Sequence, residues 1–344
     1  MYDTVTFMKK IKIGIFGVTG YTGIELLKIL SNHPMADIIF VGANSNIGPY
    51  VDEIIPNLKI SKRLKIRKTS EILKIKKIDL IFSCLPGGGL ISMYNKVKRM
   101  GAKIIDLSGD FRLGKRSHAQ WYKSRRNAST LKDFQYILPE INKDKINRKK
   151  NISNPGCYAT SILLGLIPIA NNLKDLEDII VDTKSGISGA GKSGNLEHSF
   201  SESYDNLSTY NVGNHRHAPE VEQLIFKESG KKINLIMVPH LLPIKRGIMS
   251  NIYISRKTPF NHKQILKSFK DYYLDSNFVK VLETGLPKIN DVQNTNMCQI
   301  GIKVMPQNRI LLISSVIDNL TKGASGQAVQ NMNLLFNLEE NLGL

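Results

Sequence analysis

Ile11-Lys12-Ile13-Gly14-Ile15-Phe16-Gly17-Val18-Thr19-Gly20-Tyr21-Thr22-Gly23 decides the architecture of this chain. Six β-rich residues run straight into three glycines spaced G-x-x-G-x-x-G, and a periodic apolar stretch follows at 24–30. The reading is strand, glycine loop, helix. Such a loop lets phosphate oxygens approach bare backbone at a helix N-terminus, the physical basis of dinucleotide binding. Gly17, Thr19, Gly20, Tyr21, Thr22 and Gly23 are therefore the candidate cofactor contacts. A plain strand-to-helix turn would use glycine in the same way, but a place at the head of a βαβ unit favours the ligand.

Working outward, 37–42 reads as a second strand. An acidic residue at its end would hold the ribose 2′-hydroxyl of NAD; Ala43-Asn44-Ser45-Asn46 stands there instead. That removes repulsion against a 2′-phosphate yet supplies no arginine to attract one, and Ser45 joins the candidate cofactor contacts. The lysine-rich segment 62–77 reads as a solvated face. At 78–83 a near-continuous apolar run, as in a parallel strand covered on both faces, ends in Cys84-Leu85-Pro86-Gly87-Gly88-Gly89. A helix to about 100 and a strand at 102–107 follow. That strand ends in Ser108-Gly109-Asp110-Phe111-Arg112, so polar groups again gather at a strand's carboxyl end. Arg112 is either an anion clamp or half of a surface salt bridge.

The pattern then changes. Ser153-Asn154-Pro155-Gly156-Cys157-Tyr158-Ala159-Thr160 is a tight turn delivering a lone cysteine to an apolar helical run at 161–170. At a helix N-terminus, unpaired N–H groups and the macrodipole favour thiolate over thiol, so Cys157 is the candidate nucleophile. A strand at 179–184 leads into a long loop, 185–214, which contains Lys192; loops of that length are functional or mobile. It ends in His215-Arg216-His217-Ala218-Pro219-Glu220, with Pro219 opening a helix at 220–228. Two histidines, an arginine and a glutamate crowd one helix start. Acid–base work suits them better than metal binding, since no further ligand cluster is visible. His217, three residues before Glu220, is the preferred acid–base group. Strands at 233–239 and 248–254 flank His240-Leu241-Leu242-Pro243-Ile244-Lys245-Arg246-Gly247; 261–272 is helical, and 299–304 and 310–317 alternate like antiparallel strands. Asp318-Asn319-Leu320-Thr321-Lys322-Gly323-Ala324-Ser325-Gly326-Gln327-Ala328 opens a final helix to about 338.

At 344 residues, 42% hydrophobic and 22% charged, the chain is long enough for two domains around sizeable cores. Its longest apolar run, 161–170, is half of what a membrane helix needs, and the first ten residues carry no secretory h-region, so a cytoplasmic protein is expected. Cys84, Cys157 and Cys298 have no C-x-x-C spacing, which argues against a disulfide framework or a zinc site. A net charge of +19 invites a nucleic-acid reading. With 36 lysines against 12 arginines, scattered along an Ile- and Asn-rich chain, A/T-rich coding accounts for the charge as well as function does. A basic nucleic-acid-binding protein on a Rossmann scaffold is the remote alternative, and attraction of anionic substrates is the milder consequence.

The glycine loop, Ser108 to Arg112, Asn154-Pro155-Gly156-Cys157-Tyr158, His215-Arg216-His217-Ala218-Pro219-Glu220, His240-Leu241-Leu242-Pro243 and Lys322 to Ala328, in this order and spacing, together resemble the N-acetyl-gamma-glutamyl-phosphate reductases of arginine biosynthesis. The resemblance covers nearly the whole chain. It implies an α/β protein with a Rossmann dinucleotide-binding domain, 1–155, completed by a C-terminal helix within 318–344. An α+β catalytic and oligomerisation domain, 156–317, would be of the semialdehyde-dehydrogenase kind, in a homo-oligomer (dimer or tetramer). It also implies NADP as cofactor, no metal, and a small anionic substrate. Cys157 would attack the acyl phosphate and hydride would reduce the resulting thioester, with His217 as acid–base. Arg112, Lys192, His215, Arg216 and Glu220 would bind substrate, Glu220 alternatively orienting His217, and Asn319 would abut the nicotinamide. Two departures stand out: Asn44 and Lys192 occupy places where family members often carry arginine, and lysine keeps the charge but loses the bidentate fork. Sister reductases acting on aspartyl or N-acetyl-aminoadipyl phosphate are the alternatives, and the His-Arg-His-x-Pro-Glu motif argues against the aspartyl one.

Overall fold

A computed structural model of the chain describes residues 9–56, 58, 60, 62–122, 128–172, 176–192, 204–307 and 309–344. Strands β1 (Ile11–Phe16), β2 (Ala36–Ala43), β3 (Arg67–Lys68), β4 (Leu80–Ser83), β5 (Lys103–Asp106), β6 (Phe134–Tyr136) and β7 (Asn151–Ser153) form one sheet in the order β3-β2-β1-β4-β5-β7-β6. Every pairing in it is parallel. The chain leaves β1 toward β2 on one side and later returns to β4 on the other. A crevice therefore opens above the carboxyl ends of β1 and β4, where open α/β sheets bind ligands. Gly17 turns the chain there with φ +74°, and a β-carbon on it would stand 2.5 Å from the carbonyl oxygen of Cys84. Only glycine fits both demands.

The helix Tyr21–Ser31 buries Leu26, Leu27 and Leu30 against Ile13 and Ile15 of β1 and Phe82 of β4. The lysine-rich segment departs from the solvated face expected of it: Ile66 and Ile72 enter the core, joined by β3 and a 3₁₀ turn, Thr69–Lys74. Apolar residues spaced among many lysines were outweighed in the composition but not in the packing.

Strands β8 (Leu176–Gly186), β9 (Ser208–Thr209), β10 (Leu235–Leu242), β11 (Ile248–Arg256), β12 (Val279–Val281), β13 (Cys298–Val304) and β14 (Ile310–Ile317) form the second sheet, a mixed one in the order β12-β13-β14-β11-β8-β10-β9. Along β10 and β11 buried and half-buried residues alternate, the signature of a sheet covered on one face. The helices Cys157–Leu166, Ala218–Ser229 and His262–Tyr272 supply that cover through Ile162 and Leu163, Val221 and Leu224, and Ile265 and Phe269. The first of them starts four residues earlier than the apolar run does. Gly156 takes an extended N-cap conformation, so Cys157 is the first helical residue, and Pro168, which has no N–H, helps turn the far end into a 3₁₀ segment, Ile167–Asn172.

The chain end returns to the first sheet. A π turn, Thr321–Ser325, leads into the helix Gly326–Leu335, whose Ala328, Val329 and Met332 share a core with Ile15 and Phe82. No helix among the described residues is long and apolar enough to cross a membrane. Within the long loop expected at 185–214, β8 extends to Gly186, a 3₁₀ turn covers Ile187–Ala190 and β9 covers Ser208–Thr209; residues 193–203 lie outside the described residues.

Candidate active site

A cleft of about 1210 Å³ runs from the glycine loop to the start of the Cys157 helix. Its lining includes Gly17, Thr19, Gly20, Tyr21, Thr22, Ser45 and Lys192 at one end, and Cys157, Arg112, His215, Arg216, His217 and Asn319 at the other. Two residues read as ligand contacts are absent from it. Gly23 packs behind the loop, where a β-carbon would stand 2.7 Å from Val18 Cα, so its glycine serves the close approach of helix to loop and not the ligand. Glu220 is fully buried and cannot touch a substrate from the cleft. Its Oε1 accepts hydrogen bonds from the Gly156 N–H (2.8 Å) and the Tyr136 hydroxyl (2.7 Å), and its Oε2 faces Arg112 Nη1 at 3.6 Å. Glu220 thus holds the turn before Cys157 in place.

Arg112 is not a free clamp either. Its Nη2 donates to the Leu107 carbonyl (2.6 Å) and its Nε to the Asn154 carbonyl (2.8 Å), and the side chain is buried. Two main-chain acceptors fix the guanidinium, leaving Nη1 turned toward His217 Nε2 at 3.4 Å. A guanidinium only donates, so Nε2 is the accepting nitrogen and the ring proton sits on Nδ1. Among the described residues that Nδ1 meets no partner. The main-chain N–H of His217 donates to His215 Nδ1 (3.2 Å), and the His215 ring meets Tyr158 and Tyr210 edge-on. Gly156 is where these groups converge: a β-carbon there would lie 2.6 Å from Arg112 Nη1 and 2.7 Å from His217 Cδ2.

The electrostatics correct one expectation. Burial pushes the Cys157 thiol up, and the opposing pull of Arg112, the Tyr158 N–H and Arg216 does not cancel it. A helix start alone favours thiolate; a buried helix start does not. Burial likewise drives His217 well below the ordinary histidine value, aided by His215, Arg112 and Arg216, and lowers His215 to about 4, aided by Arg216. At neutral pH the pair is thiol and neutral imidazole. The other two cysteines are held as thiols more firmly: Cys84 is strongly raised by burial and Asp106, and Cys298 goes to about 12 through burial.

Arg216 and Lys192 are the exposed cations of the cleft. Arg216 lies 5.8 Å above the Tyr122 ring, and Lys192 Nζ donates to the Thr19 carbonyl (3.2 Å), which places it at the glycine loop. Asn319 uses both ends of its amide: Oδ1 accepts from the Gly247 N–H (2.7 Å) and Nδ2 donates to Ser188 Oγ (2.9 Å).

One component carried no assignment in the sequence. Arg246 bridges Glu25 of the glycine-loop helix (3.0 Å) and Asp318 (2.6 Å), and donates to Thr321 Oγ1 (2.8 Å). Glu25 and Arg246 stand 221 residues apart, so no local spacing could have paired them. The glycine loop, the helix N-terminus behind it and the uncharged Asn44-Ser45-Asn46 segment fit a dinucleotide.

Comparison with known proteins agrees with this geometry. Residues 12–149 match the family model "Semialdehyde dehydrogenase, NAD binding domain" and residues 157–319 match "Semialdehyde dehydrogenase, dimerisation domain". Proteins named N-acetyl-gamma-glutamyl-phosphate reductase are similar along almost the whole length: one from Pelotomaculum thermopropionicum is 41% identical over 97% of both chains. Another, from Thermoanaerobacter pseudethanolicus, is 38% identical over 97% of this chain and 98% of its own. Among solved structures, aspartate semialdehyde dehydrogenase II from Vibrio cholerae superposes with a TM-score of 0.74 at 18% identity, covering 96% of this chain and 99% of that one. The Candida albicans aspartate semialdehyde dehydrogenase with NADP gives 0.70 at 15% identity, covering 97% and 100%. At such identities the structural likeness concerns the fold.

Proposed function

The chain belongs to the N-acetyl-gamma-glutamyl-phosphate reductases within the semialdehyde dehydrogenase family, and from that membership we propose that it reduces N-acetyl-γ-glutamyl phosphate to N-acetylglutamate semialdehyde with release of phosphate, in arginine biosynthesis. The observation that carries the reading is the convergence of Cys157, Arg112 and His217 around Gly156 in the cleft that the glycine loop lines.

In this mechanism His217 Nε2, the unprotonated ring nitrogen, exchanges its weak contact with Arg112 for the thiol proton as Cys157 Sγ bonds to the acyl carbon. The fixed guanidinium of Arg112 stabilises the thiolate, and the N–H groups of the helix start at Cys157 serve the oxyanion that forms. Phosphate departs with the electron pair of the C–O bond, leaving a thioester on Cys157. A nicotinamide cofactor held by the glycine loop and Asn319 would supply the hydride for reduction of that thioester. Collapse of the thiohemiacetal breaks the C–S bond, and the thiolate recovers its proton from His217. Arg216 and Lys192 meet the anionic ends of the substrate from the rim. In this reading 1–155 with the helix of 318–344 holds the dinucleotide, and 156–317 carries the nucleophile.

The cofactor is NADP, by a modest margin, because no acid follows β2 and no arginine stands at Asn44. The protein works in the cytoplasm as a homo-oligomer. Copies meet through the face of the second sheet opposite its helices, where Ile180 is 44% exposed. The test is reverse turnover with semialdehyde, phosphate and NADP or NAD. N-acetylglutamate semialdehyde should be oxidised in a phosphate-dependent way, aspartate semialdehyde hardly at all, and Cys157→Ser should abolish turnover while leaving cofactor binding intact. Faster turnover of the aspartyl compound, or an active Ser variant, refutes the assignment.

A further inference from the structure

Lys322 is the most thoroughly buried cation among the described residues, with no exposed surface, and it does not line the cleft. Its Nζ donates to Glu140 Oε1 (2.6 Å) and Gln330 Oε1 (2.7 Å), and lies 5.3 Å from the centre of the Phe278 ring. The Glu140 side chain is as deeply buried as its partner. Removing two charges from water costs stability relative to a well-packed apolar pair, so the pair's contribution has to be sought in what it holds.

What it holds is the π turn. Gly323 N–H donates to the Asp318 carbonyl (2.9 Å) and Ser325 N–H to the Leu320 carbonyl (2.8 Å), both five residues back. This wide register is intrinsically less favourable than an α turn and recurs at functional sites. It sets three contacts at once. Gly323 lies against the nucleophile, so that a β-carbon on it would stand 2.8 Å from Cys157 Cβ. The Ala324 carbonyl accepts from Asn154 Nδ2 (3.1 Å), whose own carbonyl holds Arg112. Ser325 Oγ donates to the Thr22 carbonyl of the glycine loop (2.8 Å). Relaxation to an α turn would rotate the following residues by about 100° and break all three.

We propose that Lys322 and Glu140 are positioning residues for the nucleophile: their buried ion pair pins the π turn in the register that seats Gly323 on Cys157 and couples it to the Arg112 anchor and the glycine loop. The inference rests on Cys157 being the nucleophile. Directional bonds from one ammonium to two oxygens on different elements do what apolar packing cannot.

Lys322→Met/Glu140→Gln removes both charges together, so neither is left alone in the interior. Its unfolding midpoint should stay near the parent's, while kcat falls by about 10- to 100-fold with KM nearly unchanged, the cost of misplacing a reacting group by about 1 Å. The pH profile of Cys157 alkylation by iodoacetamide should move to higher pH, because the thiolate loses its register with Arg112. Lys322→Arg, which keeps the charge inside and so protects folding, should show the same profile shift and a smaller kcat loss, since a planar fork cannot direct one nitrogen at both acceptors. Parental kcat and alkylation profile in either folded variant would overturn the proposal. If the parent itself fails to turn over N-acetylglutamate semialdehyde, the substrate assignment falls, and the alkylation profiles still decide the role of Lys322.

Discussion

Adding one methyl group to Gly156 tests the geometry of the site most directly. Its backbone, φ −75° and ψ 151°, is open to any residue, so Gly156→Ala introduces no backbone strain and its effect is that of the methyl alone. That methyl would stand 2.6 Å from Arg112 Nη1 and 2.7 Å from His217 Cδ2, against an ordinary contact beginning at 3.4 Å. Arg112 is tied to two carbonyl oxygens and cannot yield cheaply. The imidazole, whose Nε2 is the atom nearest that methyl, must therefore retreat, and the turn must ease away from Arg112, together approaching the displacement of about 1 Å that costs some 10²-fold in rate. The expected fall in kcat corresponds to about 2–3 kcal/mol of barrier. Overpacking should also lower stability by about 1–3 kcal/mol.

The assay is a double-mutant cycle with His217→Ala, reading kcat for semialdehyde oxidation and the unfolding midpoint of each variant. If the methyl acts by displacing the imidazole, most of its cost in kcat disappears once the imidazole is gone, giving a coupling of about 1.4 kcal/mol or more. Gly156→Ala with kcat within about threefold of the parent, or equal losses in both backgrounds, would refute the reasoning.

Two further expectations follow from the buried titrating groups. Because Cys157 is raised, thiolate is the minor form at neutral pH and grows with pH, so its alkylation rate should climb about tenfold per pH unit from 6 to 8; a rate flat across that range would mean a preformed thiolate–imidazolium pair. Because His215 is lowered from 6.5 to about 4, the unfolded chain binds its proton first, and stability present above pH 6.5 is lost as pH falls toward 4, by roughly 1 kcal/mol at pH 5.5; the drop in unfolding midpoint between pH 7 and 5.5 should shrink in His215→Asn, and an unchanged drop would remove His215 as its source.

How far the site was legible in the sequence depended on the range of the interaction. The glycine loop and the Cys157 turn are local objects, each written within about a dozen residues, and both stand where the sequence placed them. Glu220 shows the limit. Three residues after His217 at a helix start, it read as a group facing the substrate or steering the imidazole, yet its partners are Gly156 and Tyr136, 64 and 84 residues away. The thiol misled for the same reason: the helix N-terminus that lowers its pKa is visible in the sequence, while the burial that raises it is made by distant elements. Its place at a strand's carboxyl end leaves Arg112 a choice between clamp and surface salt bridge, and the carbonyls of Leu107 and Asn154 make it a buried fixed charge.

The glycine loop follows β1 of the first sheet, while Cys157, four residues past β7 of that same sheet, opens a helix packed on the second, so the distance between loop and sulfur is set where the two sheets meet. That task falls to the stretch 318–325, where nearly every residue reaches a different piece of the molecule. Asp318 and Thr321 bind Arg246, which also holds Glu25 behind the glycine loop. Asn319 fastens Gly247 to Ser188, Gly323 lies on Cys157, the Ala324 carbonyl takes Asn154, and Ser325 ties to Thr22. Such a stretch tolerates little slack, because an error at any one contact is transmitted to the others through a single short turn. A wide turn pinned by a buried ammonium meets that demand better than a relaxed α turn would, at the cost of desolvating a charge. The buried Lys322–Glu140 pair therefore sits where the two sheets must agree on the position of one sulfur atom.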